Sequence, residues 1–219
     1  MALLAPIANA TVFEYEDLNA NNGGGLSDKL QTIKTTFDDN TDVFTWDVTF
    51  NNASTGVDGF WLVVNNGSNP KSSDVNELAI IYGDLSTGIA STYVYNGQNS
   101  ANSIVNGTLL QTDTMNVSAN GFSLTIDATD NINGYSGWDT PTAGDINGIG
   151  FDNKLGAWFH ISKDSNFGYS QDGDITSYSY GKQGHWDKAN LTATEVPEPG
   201  TIALLTLGLA GLGLARKKQ

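Results

Sequence analysis

Asp42-Val43-Phe44-Thr45-Trp46-Asp47-Val48-Thr49-Phe50 carries the clearest alternation in the chain. Phe44, Trp46, Val48 and Phe50 fall on one side of an extended chain, and Val43, Thr45, Asp47 and Thr49 fall on the other. Successive side chains of a strand point to opposite faces, so large apolar groups at every second position predict a strand with one buried face.

Phe122, Leu124 and Ile126 repeat this alternation, and Ala157, Phe159 and Ile161 form another face opposite Trp158 and His160. Residues 57–64, 78–82 and 92–95 are denser apolar runs, which suits strands covered on both faces. Segments 12–15, 30–37, 104–110, 146–151 and 175–180 carry the same signal more faintly. Asn-Gly pairs at 22–23, 66–67, 96–97, 106–107, 120–121, 133–134 and 147–148 punctuate these runs. Asn and Gly tolerate the positive φ that turns between antiparallel strands require. No segment of the body holds a helical period, and no fixed repeat length recurs. The expected fold class is therefore all-β: a single antiparallel β-sandwich of jelly-roll-like form over residues 11–195, with a separate C-terminal transmembrane helix.

Composition agrees with a folded exported domain. The chain has 219 residues, 10% aromatic and 16% charged, which is not the make-up of a disordered segment. There is no cysteine, so disulfides, thiolate metal sites and a Cys nucleophile are excluded. The last 24 residues hold three of the ten basic residues and one of the 24 acidic ones. Residues 11–195 therefore carry 7 Lys, no Arg and 23 carboxylates, a net charge of −16. Such a surface repels phosphate backbones, so nucleic acid is not an expected partner.

Both ends differ from the body. Residues 1–10 end in Ala8-Asn9-Ala10, the small-x-small pattern of a signal peptidase site, so Ala8 and Ala10 are read as flanking a cleavage. The apolar run before it is short and lacks a basic start, and a natural start upstream of Met1 is the expectation. At the other end, Val196-Pro197-Glu198-Pro199 precedes the uncharged residues 200–215 and then Arg216-Lys217-Lys218. As a helix those 16 residues would span about 24 Å against a hydrocarbon core of about 30 Å. The basic cluster can snorkel to cover part of the gap, and it stays on the cytoplasmic side, which leaves the body outside.

Pro-Glu-Pro, a Leu/Gly-rich span and a terminal basic cluster together resemble the PEP-CTERM sorting signal of Gram-negative bacteria and some cyanobacteria. The resemblance covers only the tail. It implies an exosortase-type processing enzyme as partner, transient anchoring in the inner membrane, and release to the cell surface or extracellular matrix. It also implies that Pro197, Glu198 and Pro199 are the recognition motif, and that Arg216, Lys217 and Lys218 are the stop-transfer charges.

The body offers little catalytic chemistry. His160 lies in an apolar strand and His185 in a Gly-rich segment beside Trp186. No nucleophile elbow, zinc-protease motif or phosphate loop is present, and the expectation is that the body is not an enzyme. Asp127, Asp130, Asn131, Asn133, Asp139, Asp145, Asp152 and Asn153 crowd one Gly-rich region. Hard oxygen ligands on turns suit calcium, and Asp127, Asp130 and Asp139 are its candidate ligands, although turn-forming Asp and Asn account for the same residues. Trp138 and Trp186 sit in polar segments that read as loops, where an exposed indole beside a carboxylate can stack on and hydrogen-bond a sugar. Trp46, Trp61 and Trp158 read as core. The functional expectation is a structural protein of the surface or exopolysaccharide (biofilm) matrix, with a carbohydrate-binding module, calcium-assisted or not, as the alternative.

Overall fold

The computed structural model describes residues 12–21, 23–26, 28–38, 41–52, 56–65, 67, 79–95, 104, 107–127 and 154–196. These form an all-β fold with strands β1 (Val12–Asp17), β2 (Gly23–Gly24), β3 (Leu30–Asp38), β4 (Val43–Phe50), β5 (Gly59–Asn65), β6 (Ala79–Asp84), β7 (Ile89–Val94), β8 (Leu109–Thr114), β9 (Asn116–Ser118), β10 (Gly121–Asp127), β11 (Lys154–Lys163), β12 (Asn166–Tyr169), β13 (Ile175–Ser179), β14 (Lys182–Thr192) and β15 (Thr194–Val196). Sheet one has the order β15-β1-β3-β4-β10-β9, sheet two the order β2-β14-β11-β5-β6-β7-β8, and β12 pairs with β13 alone. The pairings in all three are antiparallel.

β4 realises the alternation of its sequence: Phe44, Trp46, Val48 and Phe50 are buried, and the residues between them are half-buried or exposed. Their side chains meet those of sheet two in one core. Phe60 stacks on Phe122 with ring centroids 4.5 Å apart, and Trp46 meets Phe159 edge-on at 5.3 Å. Aromatic pairs of this kind contribute about 0.5–1.5 kcal/mol beyond their area burial. The opposite face of sheet one is polar, and its threonines pair across strands: Thr36 Oγ1 lies 2.6 Å from Thr45 Oγ1, and Thr32 bonds Thr49.

The central strands β5, β6 and β11 of sheet two are covered on both faces, which is why residues 57–64 and 78–82 read as continuous apolar runs. All six residues of β6 are buried. The outer face carries a second apolar cluster that includes Trp61, Val63, Ile80, Tyr82, Tyr93 and Trp158. The β12–β13 hairpin sits on this cluster through Ile175 and Tyr178. Three hydrogen bonds pin it there: Tyr93 Oη donates to the Ile175 carbonyl at 2.6 Å, the Ile175 N–H donates to Ser91 Oγ at 2.9 Å, and Tyr178 Oη donates to Ser162 Oγ at 2.7 Å.

Two sequence expectations need correction. The segment around Trp186, read as a loop, lies in the long strand β14, paired along β11 and β2. Its inward positions include Gly184 beside Trp186, and a glycine gives no apolar mark, so the period of two is hidden. The strand expected at 104–110 runs instead over Leu109–Thr114, because β8 lies at the edge of sheet two and needs little apolar character. Of the Asn-Gly pairs, 120–121 forms the tight hairpin between β9 and β10, and each of the other six includes a residue outside the described ones. The β3–β4 and β6–β7 connections include Asp42 (φ 51°) and Gly88 (φ 73°). The expected strand at 146–151 and the expected transmembrane helix lie outside the described residues, and among those described no helix is long and apolar enough to cross a membrane.

Candidate functional site

The tail and the body meet at one edge of sheet one. From β14 the chain passes through a single residue, Ala193, which is only 7% exposed, and enters β15. β15 pairs with β1 in the register Val12↔Val196, Phe13↔Glu195 and Glu14↔Thr194. All three β15 side chains are exposed, as befits a short edge strand. Pro197 follows at once; it has no N–H to donate to a ladder, which makes it a natural end to the pairing. The expected recognition motif, Pro197, Glu198 and Pro199, and the expected stop-transfer charges, Arg216, Lys217 and Lys218, lie outside the described residues, as do Ala8 and Ala10.

A second candidate lies where β14 meets β2. Here the structure corrects the reading of Trp186 as an exposed loop platform: it is 2% exposed, in the middle of β14, with its ring in the shared core. Trp46 meets it edge-on at 6.2 Å, Tyr15 packs at 6.1 Å, and Lys188 Nζ stands 5.5 Å from its centroid. Its Nε1 donates to Asp17 Oδ2 at 3.1 Å, so the polar atom of the indole is satisfied from within. A cavity of about 300 Å³ opens beside it, lined by Asn21, Gly23, His185, Trp186, Asp187 and Lys188. Gly23 lies close to the His185 ring: a β-carbon there would sit 2.9 Å from Nε2, at the tip of that exposed side chain. Trp138 lies outside the described residues.

His160 and His185 are cross-strand partners, and their rings lie 5.7 Å apart. His160 is structural, as its strand position implied: it is 8% exposed and stacks on Trp61 at 4.1 Å. Its Nδ1 is 3.0 Å from Gln183 Oε1, which also accepts from Tyr180 Oη at 2.7 Å. Its Nε2 faces Asp187 Oδ1 at 3.6 Å. His185 is exposed. Reading along the chain missed this constellation because β11 and β14 bring its members together from 160 and 180–187.

Of the calcium candidates, Asp127 closes β10 and is exposed, while Asp130 and Asp139 lie outside the described residues. Among the described residues no three His, Asp or Glu side chains are grouped to hold a metal. Asp113 has its carboxyl pushed up, first by burial, opposed by a hydrogen bond from Gln111 and reinforced by the charge of Asp127.

Comparison with known proteins bears on the tail alone. Residues 195–218 match the model of the PEP-CTERM protein-sorting motif. No curated protein and no solved structure matches the chain. The motif was legible in the sequence; that its first two residues also belong to β15 was not.

Proposed function

We propose, on the premise that a PEP-CTERM motif at residues 195–218 marks an exported protein sorted by an exosortase, that the body is a structural component of the cell surface or exopolysaccharide matrix. In this reading residues 11–195 form one β-sandwich of jelly-roll-like form. It is held at the inner membrane by a helical tail, processed, and then retained outside the cell. The observation that carries it is the direct passage from the last strand into the sorting motif. The net charge of −16 over residues 11–195 supports it, because such a surface stays hydrated and resists packing against anionic lipid. No catalytic step and no bound cofactor is needed for this role.

Mass spectrometry of protein recovered from the cell surface tests the processing. The expected result is loss of the peptide ending in Arg216-Lys217-Lys218-Gln219; surface protein that keeps it counts against processing. Deletion of the coding sequence tests the matrix role: the mutant sheds exopolysaccharide or forms weaker biofilm, and an unchanged matrix refutes that role.

The cavity between β2 and β14 favours carbohydrate binding as a second reading. Asn21, His185, Asp187 and Lys188 supply donors and acceptors around a space of about 300 Å³, of the size class that holds small ligands. Binding to the host's own polysaccharide, measured with and without calcium, tests it. Retention that survives both His185→Ala and Lys188→Ala excludes this cavity, and retention lost in Trp138→Ala alone moves the site to the segment around residue 138.

A further inference from the structure

Sheet one ends on the residues with which the sorting motif begins. Glu195 and Val196 are the last two residues of β15 and the first two of the matched segment 195–218. Their backbones run alongside Phe13 and Val12. On the other side β15 has no slack, since the single residue Ala193 separates it from β14 and is buried in the core. The motif therefore hangs on the folded body without a linker.

An enzyme that acts on a peptide bond takes its substrate as an extended segment and pairs with that segment's own backbone groups. β15 has already committed one edge to β1. We infer that β1 competes with the processing enzyme for β15, so that the tail is accepted only after Thr194–Val196 leaves the edge of sheet one. β15 is suited to this: it is three residues long, lies at an edge and exposes its side chains, the features of segments that open locally without global unfolding. When opening is fast relative to cleavage, processing follows the population of the opened strand. The folded body thus sets the rate at which its own sorting signal is presented. This inference rests on exosortase-type processing of the tail.

A disulfide lock tests it. The chain has no cysteine, so the pair Glu14→Cys and Thr194→Cys, at cross-strand partner positions, introduces the only thiols and leaves residues 195–218 untouched. In an exosortase-bearing host, pulse-chase labelling compares precursor and processed forms in the oxidised state and after a membrane-permeant reductant. The expected result is processing about tenfold or more slower when oxidised than when reduced, as it should be if cleavage follows the opened population. Equal rates in the two states overturn the inference. A second variant places six Gly/Ser residues between Ala193 and Thr194, which loosens β15; faster processing than wild type is expected, and an unchanged or slower rate also overturns it. Wild-type precursor that is never processed in this host refutes the sorting premise itself, a result distinct from either of these.

Discussion

Tyr169 donates its phenolic hydrogen to Asp84 Oδ2, and this contact fastens the β12–β13 hairpin to the turn between β6 and β7. Asp84 is the hub of that turn: its Oδ1 accepts from the Ser86 N–H at 2.7 Å and from Ser86 Oγ at 2.6 Å. Burial pushes the Asp84 carboxyl up, but the hydrogen bonds from Ser86, Tyr169 and the Thr87 backbone outweigh it and hold the group below its ordinary value. Burial, with the same carboxylate beside it, pushes Tyr169 up to about 12.

These shifts give a pH signature. The contribution of Asp84 is complete above its ordinary value of 3.8 and fades as pH falls through its lower folded-state value. The contribution of Tyr169 is complete below its ordinary value of 10.0 and is lost as pH rises through about 12. Tyr169→Phe removes this group's share of the alkaline step, to which Tyr15, Tyr93 and Tyr178 also contribute because burial pushes each of them up, and costs about 1 kcal/mol near neutrality, since Tyr169 is partly open to solvent. Denaturant melts of both proteins between pH 7 and 12 check this; an unchanged alkaline step in the variant contradicts the assignment.

Trp186→Ala destabilises the fold by about 3–5 kcal/mol, the cost of truncating a buried aromatic side chain. Trp186→Phe costs less, and part of its cost is the unpaired Asp17 oxygen left behind. Thermal melts rank the two. A Trp186→Ala protein with wild-type stability would show that the indole is not part of the core.

Gly121→Ala is destabilising for a local steric reason. The residue has φ 155°, and an added β-carbon would lie 1.9 Å from the Val48 carbonyl oxygen of the neighbouring strand. The β9–β10 hairpin must then move, at a cost of about 1–3 kcal/mol. Gly173→Ala is the control: a β-carbon there meets nothing within 4 Å, so only the cost of its φ of 94° remains. Equal stability losses in the two variants would contradict the steric account.

Tyr178→Phe isolates one bond of the hairpin clamp. It removes the donor to Ser162 Oγ but leaves that oxygen paired with Ser165 Oγ at 2.8 Å. The expected loss is about 1 kcal/mol, whereas Tyr178→Ala also uncovers the apolar face around Tyr82 and loses several times more. Hydrogen exchange at Ile175 and Ser177 reads the loosening directly.

Local patterns were enough to read the all-β class, the strand β4 (Val43–Phe50) and the sorting motif of the tail, because a period of two and a three-part tail are written in neighbouring residues. They also placed Trp46, Trp61 and Trp158 in the interior, since each stands in an apolar run. Tertiary structure alone decided that Trp186 is core: its strand neighbour Gly184 carries no apolar mark, and only pairing with β11 turns the segment into a strand. It alone gathered His160, Gln183 and Asp187, and it alone set Thr36 against Thr45 across a polar face. Most consequentially, it brought Val12 beside Val196, which lie 184 residues apart in the sequence. No periodicity records which strand will close a sheet edge, because that choice belongs to the chain's path through the core and not to the three residues that make the strand.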